Sequence, residues 1–558
     1  MPLRQSSSLL LAMVALLCPL AAREPVRARK AIVAAQEPLA ADVGVDVLRK
    51  GGNAVDAAVE VAFALAVTLP AAGNIGGGGF LLARFADGST TFLDFRERAP
   101  EAASRNMYLD PEGKPTRDSV EGWRAAAVPG TVRGLDRAHR RYGRLPWPDL
   151  VAPAIRLAND GFAVSYRLER SLRGSAKLLE KFPDSRRIFL NNARLFESGE
   201  VLRQHELART LDRIARHGAG DFYEGATARI LVEQMRRHGG LITSSDLRSY
   251  EVAERKPLTG RYKDFDILTA PPPSSGGIGI LQILGMLEGS GYERHGSGSA
   301  ASIHYVAEAM RRFYADRSEY LGDPDFHRVP VAGLLAGPYI AGRRATIDPD
   351  RVTPSARLKP GQPAAHESTE TTHLSIVDPE GNAVALTYTI NGSYGSGVTA
   401  PELGFLLNNE MDDFSVKPGY PNMFGLTGGD ANAIQPRKRP LSSMTPAILL
   451  RGGKLYMVIG APGGSRIITG VLQVILNVAD FGMNIQEAID APRFHHQWFP
   501  DKLHLEKGFS PDTVALLERR GHAIEPIANV AIVEGILAGG GGLQGGSDGR
   551  GGGKSAGY

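Results

Sequence analysis

A chain of 558 residues, 43% hydrophobic and 22% charged, with a formal net charge of +4, has the composition of a soluble globular protein and the length for a large core in one big domain or two interlocked ones. It is too apolar for a disordered chain, and so small a charge, with no basic stripe interleaved with aromatics, gives a nucleic-acid role no support. The short cluster Arg437-Lys438-Arg439 reads as a surface loop.

Arg4 precedes an apolar run from Leu9 to Leu17, followed by small residues at Ala21 and Ala22. This is the pattern of a secretory signal peptide over residues 1–22, and it predicts a periplasmic or secreted protein. The run is too short for a stable membrane span. Cys18 is the single cysteine, and Leu17 before it is too bulky for a lipoprotein signal. Cleavage near Ala22 leaves a chain without cysteine, which excludes disulfides and thiol catalysis.

The segment Ala31–Gln36 reads as a short buried strand. Pro38–Lys50 has helical periodicity and stops at Gly51-Gly52. Asn53 caps a second helix, Ala54–Leu69, apolar nearly all round and therefore buried, with Asp56 and Glu60 arguing against a membrane span. The glycines Gly76–Gly79 lack the Lys-Ser or Lys-Thr of a phosphate loop and lead into a strand, Phe80–Phe85. Asp87-Gly88 is a hairpin turn, and the return strand Thr91–Phe95 delivers Arg96. Residues 130–250 carry several surface helices. The stretch TAPPPSSGGIGILQILGMLEG sets a rigid Pro turn before a buried helix. Ser302–Tyr320 is an amphipathic helix in which His304 packs or caps.

Residues 348–370 lose apolar periodicity and read as an exposed connection. A hairpin follows: TTHLSIVD, the turn PEGN, then AVALTYTI. Two further strand pairs, near Ala447–Ile459 and Val530–Gly546, predict an extensive antiparallel sheet in this half. GVLQVILNVADFG is a buried helix after Gly470, and the glycine-rich stretch 539–553 supplies turns and close backbone contacts.

Thr371 opens the hairpin directly after the exposed connection. A threonine hydroxyl is a poor nucleophile until a base takes its proton. A new N-terminal α-amine, with a pKa of about 7.7–8.0, can act as that base for its own residue. Acyl transfer also needs an oxyanion hole, and GAPGGSRI offers the backbone N–H groups of Gly463 and Gly464 between a strand and a helix.

The segments TTHLSIVDPEGNAVALTYTING, LLNNEMDDFSVKPG, GGDANAIQPRKRPLSSMTPAILL, GAPGGSRIITGVLQVILN and APRFHHQW occur in order. Together with NIGGGGF, LDFRERAP and ADRSEYLGDPDF in the first half, they resemble the γ-glutamyltransferase (glutathione hydrolase) family from about Ala31 to Tyr558. The resemblance implies an α+β fold, the four-layer αββα sandwich of N-terminal-nucleophile hydrolases, formed jointly by two fragments. It implies self-cleavage between Glu370 and Thr371, giving a large subunit (23–370, with a mobile pre-cleavage segment 350–370) and a small catalytic subunit (371–558) that associate as an αβ heterodimer. Thr371 is then the nucleophile, with Thr389 hydrogen-bonded to it and Gly463 and Gly464 as oxyanion donors. Arg96, Ser442 and Ser443 bind the α-carboxylate of the γ-glutamyl group, and Asn391, Glu410 and Asp413 accept from its α-ammonium. The donors are glutathione and other γ-glutamyl compounds, and the acceptors are water, amino acids or short peptides. No cofactor and no metal are implied.

Each of these residues has a plainer reading. Arg96 reads alone as a surface arginine, Ser442-Ser443 as a turn, and Asp412-Asp413 as a cap or metal pair. His495 and His496 are adjacent and would point to opposite faces of a strand, without a third ligand at a useful spacing. His373 and Ser375 read as structural. The motif set as a whole outweighs the plainer readings for the remaining residues. The stretch Tyr420–Asn432 matches the family's lid loop, with Phe424 where some members carry a tyrosine. The C-terminus keeps a Ser-Asp-x-Arg and a final Gly-Tyr. Two rivals remain: a related acylase acting on glutaryl-cephalosporin or poly-γ-glutamate, and an unprocessed γ-glutamyl-binding protein.

Overall fold

The computed structural model describes residues 23–362 and 372–558, Thr372 by its backbone alone. The predicted signal peptide 1–22, with Cys18, and the expected cleavage junction Glu370–Thr371 lie outside the described residues.

Fourteen strands build two sheets of seven. In chain order they are β1 (Val26–Ala28), β2 (Ile32–Ala35), β3 (Gly78–Arg84), β4 (Thr90–Phe95), β5 (Ala253–Arg255), β6 (Leu258–Tyr262) and β7 (Phe265–Thr269). After the connection come β8 (Thr372–Val377), β9 (Ala383–Thr389), β10 (Ala447–Arg451), β11 (Lys454–Gly460), β12 (Glu534–Gly539), β13 (Gly542–Ser547) and β14 (Lys554–Gly557). One sheet runs β1-β13-β12-β11-β10-β7-β6 and the other β14-β2-β8-β9-β3-β4-β5. Every neighbouring pair in both is antiparallel.

The period-two alternation of side chains explains the layering. On β9, Ala383 and Ala385 pack with Phe80, Leu82, Ile448 and Val458 between the two sheets. Val384 and Leu386 point the other way, into a core with the helices α1 (Pro38–Arg49), α2 (Ala54–Thr68) and α3 (Thr131–Tyr142). The same outer core takes in α4 (Trp147–Asp160), α5 (Tyr166–Leu179) and further helices between residues 183 and 248. Beyond the other sheet, Ile267, Leu449 and Ile459 pack against α6 (Gly276–Leu287), α7 (Ala300–Tyr320) and α8 (Ile467–Ala479). Three cores separate four layers, the αββα order implied by the resemblance.

The expected elements form with small shifts. In α2 every residue is buried, and a capping box holds its start: Asn53 accepts from the N–H of Val55 and Asp56, and Asp56 accepts from the N–H of Asn53. α8 begins three residues before Gly470. The glycine-rich 539–553 stretch supplies the tight turn between β12 and β13, where Gly539 faces Gly542. His304 bonds His522 at 2.8 Å and the carbonyl of Asp348 at 2.8 Å, a packing role.

Two surface readings differ. Lys438 is fully buried, because its ammonium donates to the carbonyls of Ala431 and Ala433. The connection after residue 348 is pinned at Ser355, whose N–H donates to Asp501 and whose carbonyl accepts from the Trp498 indole.

Candidate active site

The hairpin β8–β9 sets the frame. β8 begins at Thr372, the residue after Thr371, and Thr372 lies opposite Tyr388, so Thr389 closes β9 at this end. Alternation turns Thr387 and Thr389 toward the space between the sheets, on the face of Ala385. The adjacent His373 bonds Thr387 Oγ1 at 2.9 Å and Ser375 Oγ at 2.8 Å. Burial pushes the His373 imidazole down to about 3. A Cβ on Gly460 of β11 would fall 2.4 Å from His373 Nδ1, so only glycine lets the facing sheet approach this closely.

Thr389, Asn391, Gly392, Phe424, Gly463 and Gly464 line a cavity of about 500 Å³ at this end of the sandwich. Thr389 Oγ1 accepts from the N–H of Asn391 at 2.7 Å. Asn391 sits at φ 70°, and its amide donates to the carbonyl of Asn409 at 3.0 Å. Its Oδ1 is buried without a hydrogen-bond partner among the described residues, an acceptor left for a ligand. Gly463 (φ 143°) and Gly464 (φ 64°) lie where β11 turns toward α8, and a Cβ on Gly463 would come 2.7 Å from Ala531 Cα.

Arg96, directly after β4, anchors a buried charge cluster. Its Nη1 is 2.8 Å from Glu410 Oε2 and 3.4 Å from Glu97 Oε2, and its Nη2 is 2.6 Å from Asp413 Oδ2. Burial alone would lower the arginine's pKa, but Glu410, Glu97 and Asp413 more than compensate and raise it. Burial also raises Glu97 and Asp413, against the pull of Arg96. Three carboxylates around one guanidinium leave an excess of negative charge, which a bound ammonium would relieve. Ser442 and Ser443 are fully buried. The carbonyl of Ser442 accepts from Ser275, and Ser443 Oγ accepts from Arg317 at 3.4 Å.

The predicted residues therefore fall into two groups. Thr389, Asn391, Gly463 and Gly464 line the open cavity. Arg96, Glu410, Asp413, Ser442 and Ser443 are buried outside its lining. The loop 420–432 bridges the groups: Asn422 Nδ2 contacts Asp413 Oδ1 at 3.4 Å, and the N–H of Met423 donates to Asp412 at 2.9 Å. Gln497 donates to the carbonyl of Phe424 at 3.1 Å.

Sequence reasoning missed Glu97 and Arg317, which join this cluster from the LDFRERAP and ADRSEYLGDPDF segments. Their signal was a charged residue on the inward side of a buried element. His495 bonds Thr469 and Gln497, whereas His496 faces Asp501. No group of three or more His, Cys, Asp or Glu side chains is arranged to hold a metal ion among the described residues.

The family described as Gamma-glutamyltranspeptidase matches residues 40–558. The glutathione hydrolase proenzyme of Escherichia coli K12 is 49% identical over 529 residues, 94% of this chain and 91% of that protein. Among solved structures, a cephalosporin acylase from Bacillus halodurans superposes with a TM-score of 0.87 at 28% identity, covering 96% of this chain and 97% of that one. The Helicobacter pylori gamma-glutamyltranspeptidase superposes with a TM-score of 0.58 at 43% identity, covering 62% of this chain and 97% of that one. With nearly its whole length matched in order, the chain belongs to the γ-glutamyltranspeptidase family.

Proposed function

We propose that the protein is an exported, self-processing γ-glutamyltransferase and glutathione hydrolase with Thr371 as its nucleophile. The observation that carries this reading is the cavity that gathers Thr389, Asn391, Gly463 and Gly464 at the end of β8 where Thr371 joins it.

In the precursor, Thr371 Oγ attacks the carbonyl carbon of Glu370, the peptide bond shifts to an ester, and water releases it. Fragments 23–370 and 371–558 remain associated as an αβ heterodimer. In the mature enzyme the Thr371 amine takes the proton from its own hydroxyl, and Oγ attacks the γ-carbonyl of the donor. The oxyanion receives the N–H groups of Gly463 and Gly464. The amide nitrogen of the leaving group takes the proton and departs, leaving a γ-glutamyl ester. Water or an amine attacks that ester, glutamate or a new γ-glutamyl amide leaves, and Oγ recovers its proton.

Arg96, with Ser442 and Ser443, holds the α-carboxylate, and Asn391, Glu410 and Asp413 hold the α-ammonium. The adjacent guanidinium and carboxylates support this reading, since a zwitterion requires both signs side by side. Residues 1–22 direct export to the periplasm or medium. The test is intact mass and N-terminal sequencing of the wild-type protein beside Thr371→Ala. A fragment beginning Thr-Thr-His-Leu from the wild type, and an uncut variant, is the expected result. A folded wild-type chain that stays whole overturns the assignment of Thr371.

A further inference from the structure

The cavity that gathers Thr389, Asn391, Gly463 and Gly464 has a further set of polar residues in its lining. Besides the residues of the proposed chemistry, it is lined by Arg167, Ser171 and Arg466. Among the described residues these two arginines are its charged lining residues, and none of the described lining residues is acidic. Arg167 and Ser171 stand one turn apart on α5 and so share a face. Arg167 is partly buried, donates to the carbonyl of Gln36 at 3.2 Å, and has no carboxylate within ion-pairing distance among the described residues. Ser171 Oγ accepts from the hydroxyl of Tyr394 at 2.9 Å, which leaves its own hydrogen to donate. A guanidinium lining this cavity beside a hydroxyl donor, with no acidic residue among the described lining residues, is a receptor for an anion, and its fork matches a carboxylate.

We propose that Arg167, assisted by Ser171, is a specificity-determining carboxylate subsite for the part of the substrate beyond the scissile bond. It recognises the free C-terminal carboxylate of the departing peptide and of the amino acid or short peptide that accepts the acyl group. The inference rests on the acyl-transfer reading above. It adds that the enzyme distinguishes donors and acceptors by a charge remote from the reacting atoms.

The experiment compares two donors on the processed enzyme: glutathione, and γ-glutamyl-p-nitroanilide, whose leaving group carries no carboxylate. The readout is the ratio of their kcat/KM values. Arg167→Gln lowers that ratio about 10- to 100-fold, mainly through KM for glutathione, the usual size of a lost charge-assisted contact. Arg167→Lys keeps most of it. An unchanged ratio in Arg167→Gln overturns the subsite.

If that variant fails to fold, the wild type decides through its acceptors. KM for glycylglycinamide about tenfold above that for glycylglycine supports the subsite, and equal values overturn it. A wild type that cleaves neither donor overturns the acyl-transfer reading and the subsite with it.

Discussion

Arg96 Nη2 and Asp413 Oδ2 lie 2.6 Å apart, and both side chains are buried. This pair sits inside a cluster with more negative than positive charge, so its two members are not equivalent. Removing Arg96 leaves Glu97, Glu410 and Asp413 buried together, with Arg317 as a nearby cation. Arg96→Gln is expected to destabilise the fold by about 3–5 kcal/mol, the scale for an uncompensated buried charge. Asp413→Asn removes one excess charge and should change stability much less, while raising KM for a γ-glutamyl donor about 10- to 100-fold. Denaturant titration and donor kinetics on both variants check the contrast.

Gly463 combines φ 143° with a space that has no room for a methyl group. Gly463→Ala must therefore shift the loop that would aim N–H groups at the oxyanion. Loss of one such donor costs about 100- to 1,000-fold in kcat. The expected result is a fall of that order in kcat on the processed enzyme, with a smaller change in KM. An equal fall in 1/KM with kcat intact would place the glycine in ground-state binding instead.

The His373 imidazole is neutral in the fold because burial lowers its pKa to about 3. In the unfolded chain it takes a proton near 6.5. The unfolded state therefore binds more protons than the fold between these values. The stabilising effect is complete above pH 6.5 and is lost progressively as pH falls toward 3. His496, lowered to about 4 by burial, acts in the same direction. Acidification from pH 7 to 5 should lower stability by about 1–2 kcal/mol per such histidine. His373→Gln should be less stable at pH 7 but show a shallower decline, read from Tm across that range.

Asn422 organises the loop over the site: its Oδ1 accepts from the N–H of Phe424 at 3.0 Å and of Leu426 at 3.1 Å. Asn422→Ala leaves both donors without that acceptor. Faster hydrogen exchange at residues 422–426 is expected, with donor KM raised about 5- to 30-fold, the range for one to two lost hydrogen bonds. Unaltered exchange would show that Gln497 and Asp412 hold the loop without it.

Much of this architecture was legible in the sequence because its signals are local. The Asn53 cap, the largely apolar Ala54–Thr68 helix and the PEGN hairpin each declare themselves through local sequence. The pairing of sheets was not legible in that way, since β2 meets β8 more than 300 positions later in the chain. Nor was the gathering of Glu97 with Glu410 and Asp413 around Arg96, or Arg317's place beside Ser443, because a buried ion cluster is assembled by tertiary packing rather than by spacing. Lys438 was misread for the same reason: a lysine with carbonyl partners resembles a surface lysine until those carbonyls are located.

The interleaving of strands has one more consequence. In one sheet β2 lies between β14 and β8, and β9 against β3. In the other, β1 edges β13 and β10 meets β7. Both sheets thus combine strands from before residue 370 and after residue 371, and neither proposed fragment contains a complete sheet. A cut at the proposed junction would remove one covalent link and none of these ladders, so the two proposed fragments would stay woven together. The same weave makes folding a property of the uncut chain. Once the mature enzyme is melted, two incomplete halves must find each other again, and activity lost by heat should not return on cooling.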